Sequence, residues 1–403
     1  MPDVGLIALV PDMWESCWQS RHYTLPRLAR YFHVVWCNPA SVDEQYPRYS
    51  VSMPPQDDSA PRDTPPGFHV HRLPAWMPDL RRPLFLLRLI LQERLRHARR
   101  HLVRQGCQDV WLSLWRPSYA PALDLVRHSQ SSYHIDDEYT FSEVEAPLDE
   151  REARLIREVD QVFVSSQGLL DKKGRVNPHT FFVPNGVHYQ AYVRPYLEPP
   201  DLQPIPHPRI GYVGVIKKQL DVALLLALAQ RHRQWSFVFV GPQRHLDDIG
   251  RWLQQLANLP NVYFLGEKPV SRLPSYTQHM DVCLLCYKIN AYTQFIYPLK
   301  LHESLASGRP CVGSPIRTLQ AFGSIMRLAT TIDEWSQAID ATLTMTARSD
   351  TEAAARRDVA RHHDWDRLVH TIARVLCERL GPAYGKRFEA RAPEPLALPL
   401  GTG

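Results

Sequence analysis

The sequence predicts an α/β protein built from two doubly wound parallel-sheet domains facing one another across a cleft, and three observations predict it. Short apolar segments alternate with helix-spaced ones from the N-terminus, a proline-dense stretch interrupts the alternation at mid-chain, and the same alternation then restarts. A length of 403 residues suits two or three domains, at about 150 residues each. With 44% hydrophobic and 22% charged residues, the composition excludes a disordered, collagenous or multi-span membrane chain.

Residues 5–10 form an apolar run of strand length, 23–31 carry helical spacing, and 34–37 are strand-like again. A helix over 84–103, strands over 109–114 and 132–135, a charged helix over 147–158 and a strand over 161–165 continue the series. The N-terminal domain is thus expected over residues 1–190. Prolines at 195, 199, 200, 204, 206 and 208 then exclude regular structure, which marks 191–208 as a linker. The C-terminal domain, 209–364, reads as strand 209–213, helix 220–231, strand 236–240, helix 246–256 and strand 262–265. A short helix near 274–278, strand 282–287, helix 298–307 and strand 310–313 complete it. A last helix is expected over 365–380, and the Pro/Ala/Gly-rich residues 381–403 read as a disordered tail.

The net charge of +5 conceals an uneven distribution, since only eight of the 47 basic residues are Lys and five of those lie between positions 217 and 300. The seven cysteines are an odd, scattered set, unlike a disulfide framework. Cys283 and Cys286 have C-x-x-C spacing, but within an apolar run that reads as a buried strand, and no second pair completes a zinc site. The N-terminus lacks the basic region of a signal peptide. Arg88 breaks the best candidate for the roughly 18 apolar residues that a spanning helix needs. The expectation is a cytoplasmic protein, at most peripheral on the inner face of the cell membrane.

Candidate chemistry begins after strand 209–213, where Gly214 permits close backbone approach and Lys217 and Lys218 supply two cations suited to a diphosphate. The loop 287–297 runs into Pro298, a residue that suits the first turn of a helix. Tyr297 offers no short side chain to cap the amides of Leu299, Lys300 and Leu301. Those amides, the positive helix end and Lys300 together form an anion site. Glu303 projects from the same face one turn deeper, where a carboxylate can accept two ribose hydroxyls.

The segment Pro298-Leu-Lys-Leu-His-Glu-Ser-Leu-Ala-Ser-Gly-Arg-Pro310 resembles the donor-binding segment of GT-B-fold glycosyltransferases of the group 1 (family 4) kind. The likeness continues in Gly211-Tyr-Val-Gly214, Phe239-Val-Gly-Pro242, Asn261-Val-Tyr-Phe-Leu-Gly266 and Val183-Pro-Asn-Gly-Val187. Trp18-Gln-Ser-Arg21 and Tyr133-His-Ile-Asp-Asp137 resemble motifs of the bacterial subgroup that builds exopolysaccharide and teichuronic acid. The resemblance implies a nucleotide-diphosphate-sugar donor, UDP- or GDP-linked, held by the C-terminal domain, and a saccharide acceptor, lipid-linked in the first instance, held by the N-terminal one. Lys300 would meet the diphosphate, Glu303 the ribose, and the loops after Gly241 and Gly266 the base, with Lys217, Lys218 and Lys288 nearby. No cofactor and no metal are expected, because cations and helix amides can carry the leaving diphosphate's charge. Many retaining members have two Glu separated by seven residues; with Glu303 as the second, Phe295 occupies the first position, which leaves the anomeric outcome open.

An inverting enzyme needs an acceptor-side base, for which Asp136 and Asp137 are the candidates, followed by Glu138 and with His134 as a further one. Trp18, Arg21 and His22 are candidates for acceptor contact, a guanidinium there suiting a lipid-linked phosphate. Between positions 81 and 104 there are eight Arg against one Glu, with apolar residues at 84, 87, 91, 95, 98 and 102. This gives a basic stripe over residues 76–104, anchored by Trp76, Met77, Leu80 and Phe85, for contact with anionic lipid. No aromatic-interleaved basic motif for nucleic acid is present. The expected function is sugar transfer in polysaccharide biosynthesis, with a nucleotide-sugar epimerase or a catalytically silent sugar-nucleotide-binding subunit as rivals.

Overall fold

The N-terminal apolar run forms β1 (Val4–Leu9), buried at every position, as a strand with helices on both sheet faces must be. The computed structural model describes residues 3–39, 64–72, 84–139, 147–344 and 349–389. They divide into two compact units, one holding the residues up to 184 together with those from 366, the other residues 185–365.

In the N-terminal unit β1 is joined by β2 (His33–Cys37), β3 (Phe68–His71), β4 (Asp109–Leu114), β5 (Gln130–Ile135), β6 (Gln161–Val164) and β7 (Thr180–Phe182). The order β3-β2-β1-β4-β5-β6-β7 is parallel throughout. Helix α1 (Ser20–Leu28) follows β1. Helix α2 (Leu84–Arg104) buries Leu91, Leu95, Ala98 and Leu102, the apolar face that the spacing predicts. Gly5 makes room for this, since a β-carbon there would sit 2.6 Å from Leu102. Helices α3 (Glu150–Glu158), capped by Asp149, and α4 (Gln167–Lys173), capped by Ser166, flank β6. The strand order reverses between β1 and β4, so the residues just past β1, β4 and β5 meet at a topological switch point.

The C-terminal unit repeats the scheme with β8 (Arg209–Val213), β9 (Ser236–Val240), β10 (Val262–Phe264), β11 (Val282–Leu285), β12 (Cys311–Gly313) and β13 (Arg327–Leu328). They lie parallel in the order β10-β9-β8-β11-β12-β13. Its switch point lies between β8 and β11, the two strands that lead to Gly214 and to the 287–297 loop. Helices α5 (Tyr189–Val193), α6 (Leu299–Ala306) and α7 (Asp350–His362) belong to this unit. None of the seven cysteines forms a disulfide. Burial pushes the Cys283 thiol up to about 11, and Cys286 donates to the Asp221 carbonyl at 3.6 Å; both are core thiols.

Three boundaries differ from the sequence expectation. The proline-dense stretch 191–208 is no linker: it begins within α5, and Leu202 and Ile205 are buried in the core of the C-terminal unit. Proline excludes an extended helix or strand there but not packing. Helix α8 (Trp365–Leu380) carries Val369, Ile372, Ala373 and Leu376 into the core of the N-terminal unit, and Asp366 accepts from Arg27 at 2.7 Å and Arg30 at 3.1 Å. The expected disorder after 381 gives way to helix α9 (Pro382–Glu389). Phe388, 3% exposed, lies 5.5 Å from the Tyr31 ring, and the Tyr384 hydroxyl donates to Asp109 at 2.5 Å. Residues 390–403 of that expectation lie outside the described residues.

Phe388→Ala should therefore destabilise the protein by about 3 kcal/mol, the usual loss for a buried aromatic truncated to Ala. Urea unfolding followed by tryptophan fluorescence measures it, and an unchanged midpoint would show that the tail helix does not pack.

Candidate functional site

In the C-terminal unit three adjacent strands end in glycines with left-handed backbone: Gly214 after β8 (φ +141°), Gly241 after β9 (φ +143°) and Gly266 after β10 (φ +71°). The Gly214 amide donates to the Val240 carbonyl at 2.7 Å and the Gly241 amide to the Gly266 carbonyl at 2.8 Å. A β-carbon at Gly241 would stand 2.2 Å from the Gly214 oxygen, and one at Gly214 would stand 2.3 Å from Lys300 Cε. Only glycine permits both approaches. The Lys300 ammonium, resting on this rim, lies 5.0 Å from the Tyr212 ring centroid and hydrogen-bonds the Tyr287 hydroxyl.

Pro298 stands at the N-cap of α6, and no side chain caps that helix end. The Leu301 amide is nonetheless satisfied by the Pro298 carbonyl at 3.2 Å, so Leu301 leaves the expected anion-binding set while Leu299 and Lys300 remain in it. Glu303 is half-buried on α6. Burial raises its pKa, while Lys300 and a hydrogen bond from Tyr192 of α5 pull it back. A carboxylate in this setting can accept two hydroxyls. Phe295 is 3% exposed, so the position a second Glu would occupy is filled by packed apolar surface.

The other lysines are differently engaged. Lys218 pairs with Asp247 at 2.8 Å, Lys288 with Asp248 at 2.9 Å and Lys268 with Asp201 at 2.7 Å. Lys218 and Lys288, read as cations for a diphosphate, thus already face carboxylates from the loop after β9. Lys217 lies half-buried in the loop after β8.

In the N-terminal unit the switch point holds a buried ion cluster. Arg21, 2% exposed, pairs with Asp12 past β1 and with Asp136 past β5. Arg116, past β4, donates to Asp136 Oδ1 at 3.0 Å and to the Tyr139 hydroxyl at 2.6 Å. Tyr139 in turn donates to Asp136, as does Ser20 Oγ at 3.4 Å. Burial alone would raise the Asp136 pKa, but Arg21, Arg116 and Tyr139 hold it well below the carboxylate range. Asp136 is therefore a fixed anion and a poor base, which corrects one of the two candidates. Asp137 next to it is half-buried, and its Oδ1 accepts from the Glu138 amide at 2.8 Å. Glu138 pairs with Lys172 at 3.3 Å and Lys173 at 3.2 Å, and Lys173 pairs with Glu152 at 2.8 Å.

His134 lies flat against Trp115 at 4.0 Å. Burial lowers its pKa to about 4, against an opposing pull from Asp136, and at 6% exposure between the Trp115 and Phe163 rings it is packed away from solvent, a core histidine and not the further base expected. Arg21 and His22 are corrected as acceptor contacts. Arg21 is spent on two carboxylates, and His22 is 0% exposed between Trp14 and Trp18, with Nδ1 accepting from the Gln19 amide at 3.1 Å. Trp18 stays half-buried just before α1. Spacing could not reveal this burial, nor Arg116, Tyr139, Tyr192 and Tyr287, which carry no motif of their own.

The exposed face of α2 presents Arg88, Arg96, Arg100 and Arg104 together with Leu89 at 52% and Val103 at 51% exposure. Trp76, Met77 and Leu80 lie outside the described residues, as does the side chain of Phe85. Among the described residues no helix is long and apolar enough to cross a membrane.

Residues 207–344 match the family of glycosyl transferases group 1. TuaH of Bacillus subtilis (strain 168), assigned by name to teichuronic acid biosynthesis as a glycosyltransferase, is 36% identical over 172 residues. That match covers 40% of this chain and 42% of TuaH, so the chain spans about two fifths of the relative. The fold is shared with a trehalose-6-phosphate structure from E. coli bound with UDP-2-fluoro glucose, at TM-score 0.65 and 12% identity over 94% of this chain and 99% of that one. It is shared likewise with α,α-trehalose 6-phosphate synthase of Burkholderia multivorans, at TM-score 0.63 and 13% identity over 94% and 99%. The expected resemblance to group 1 glycosyltransferases and the two-domain GT-B fold class both hold.

Asp136→Asn should destabilise the protein by about 3 kcal/mol at pH 7, because it leaves buried Arg21 and half-buried Arg116 without their shared anion. The folded pKa of Asp136 lies below its unfolded value of about 3.9, so its contribution is full above that pH and is lost progressively as pH falls from there through the folded value. The gap between wild type and variant should narrow below about pH 4 in urea titrations; a gap independent of pH would count against the ion cluster.

Proposed function

We propose that the chain is a glycosyltransferase that moves a sugar from a nucleotide-diphosphate donor, UDP- or GDP-linked, onto a lipid-linked saccharide during polysaccharide biosynthesis. The observation that carries this reading is the seating of Lys300 on the Gly214 rim at the β8/β11 switch point, where phosphate-bearing ligands bind in open α/β sheets. The family match over residues 207–344 supports it, and the likeness to TuaH, named for teichuronic acid biosynthesis, supports a role in polysaccharide biosynthesis.

In this reading Lys300 and the uncapped start of α6 take the diphosphate, Glu303 takes the ribose hydroxyls, and the loops after Gly241 and Gly266 take the base. Transfer places negative charge on the departing diphosphate, and a cation and helix amides already aimed there stabilise it without reorganising. Asp137 takes the proton from the acceptor hydroxyl, while Asp136, fixed by Arg21 and Arg116, holds the turn that carries it. The reaction needs no metal or cofactor.

By isothermal calorimetry, Lys300→Ala and Glu303→Ala should each bind UDP or GDP at least about tenfold more weakly than wild type, the scale of a charge-assisted hydrogen bond. Asp137→Asn should keep that affinity and lose transfer. Unchanged nucleotide binding in both of the first variants would sink the donor site, and full transfer by the third would remove the base. Conversion of donor without any acceptor would point to an epimerase. Binding without transfer by the wild-type chain would favour a silent subunit, the rival that the buried Phe295 supports.

The basic face of α2 serves as the contact with anionic lipid, its arginines meeting headgroups and Leu89 and Val103 entering the interface. Wild type should co-sediment with phosphatidylglycerol vesicles and not with phosphatidylcholine vesicles, and Arg96→Glu with Arg100→Glu should abolish the difference. Equal sedimentation of wild type and variant would refute this contact.

A further inference from the structure

Between Lys300 and Glu303, helix α6 carries a residue to which the donor reading gives no role. His302 is 0% exposed. Its Nε2 lies 2.8 Å from the Tyr297 hydroxyl, and its ring lies nearly parallel to His363 at 3.8 Å and edge-on to Phe322 at 5.4 Å. Its Nδ1 has no hydrogen-bond partner among the described residues. Burial and the neighbouring His363 keep the ring neutral.

Tyr297 is the last residue before Pro298, where the loop from β11 turns into α6. Its carbonyl accepts from Asn185 Nδ2 at 2.7 Å, while its hydroxyl meets His302. The residue is thereby held at both its main chain and its side-chain tip. A bond from residue 297 to residue 302 spans the first turn of the helix, so it fixes the direction in which that turn leaves the loop. Lys300 and Glu303 project from the same turn and the next. Packing alone does not account for an imidazole here: phenylalanine would fill a place among aromatic rings without leaving a buried nitrogen unpartnered. What the imidazole supplies is the bond to Tyr297.

We propose that His302 is a positioning residue, whose hydrogen bond to the Tyr297 hydroxyl sets the entry of helix α6 and so places Lys300 and Glu303 against the donor's diphosphate and ribose. This rests on the donor-site reading above. The bond acts as one unit, so removing either end has the same consequence.

The test is a double-mutant cycle on the full chain, read by calorimetry with UDP and GDP. His302→Phe and Tyr297→Phe should each weaken nucleotide affinity about five- to tenfold, the scale of one hydrogen bond. The double variant should be no weaker than either single one, and His302→Gln, which keeps a polar group near the Nε2 position, should bind within about twofold of wild type. Tyr297→Phe removes one oxygen and keeps its ring, so it carries the test if His302→Phe fails to fold. Wild-type affinity in Tyr297→Phe, or losses that multiply in the double variant, would overturn the positioning role while Lys300→Ala still loses binding. Wild-type affinity in Lys300→Ala would overturn the donor site beneath it.

Discussion

Lys300 Cε occupies the space where any residue but glycine at 214 would carry its β-carbon, 2.3 Å from that position. The Gly214 oxygen in turn lies where a β-carbon of Gly241 would project, at 2.2 Å. Two missing side chains therefore let two strand ends and a helix start converge until an ammonium rests on bare backbone. Backbone at φ near +140° is open to glycine and strained for other residues. The rest of the C-terminal unit can be understood as keeping this contact in place: the parallel order sets β8 beside β11, and the Tyr212 ring and Tyr287 hydroxyl direct the cation. Asn185 fixes the residue before Pro298.

The N-terminal unit handles its switch point by the opposite means. There the strand ends converge through charge, with Asp12, Asp136, Arg21 and Arg116 enclosed together and a second set, Glu138, Glu152, Lys172 and Lys173, close behind in sequence. Withdrawing so many ions from water is unfavourable, and mutual attraction recovers it only where partners are aligned and remaining lone pairs are satisfied. Such a cluster adds little to net stability compared with apolar packing. What it does provide is a single arrangement, since any displacement strands a buried charge. That property suits the turn that carries Asp137, the base in the proposed reading.

The fold class was legible because parallel strands covered on both faces read as continuous apolar runs, and β8, β9 and β11 stand out for that reason. Shorter elements were not legible. The strand β3 has alternating His69 and His71 within four residues, β7 has only three residues, and α9 lies in a composition that suggested disorder until Tyr384 and Phe388 found partners far away in sequence. At the site, Pro298, Lys300 and Glu303 could be read because a helix start has a local signature. Lys218 and Lys288 could not be sorted from Lys300, because their partners Asp247 and Asp248 come from the loop after another strand. Arg21 and His22 misled for a related reason: the period of α1 shows which residues share a face and not that this face is enclosed by aromatic rings and carboxylates.

Phe295 keeps a carboxylate out of the segment that, in the proposed reading, meets the donor. A carboxylate at that position would add a second negative charge to a segment that already holds Glu303, and burial would raise its pKa. With phenylalanine buried there, Lys300 and the Tyr192 hydroxyl act on Glu303. Both act to lower a pKa that burial raises. In the proposed reading, an apolar ring here removes a carboxylate that could have faced the sugar, and the base is Asp137.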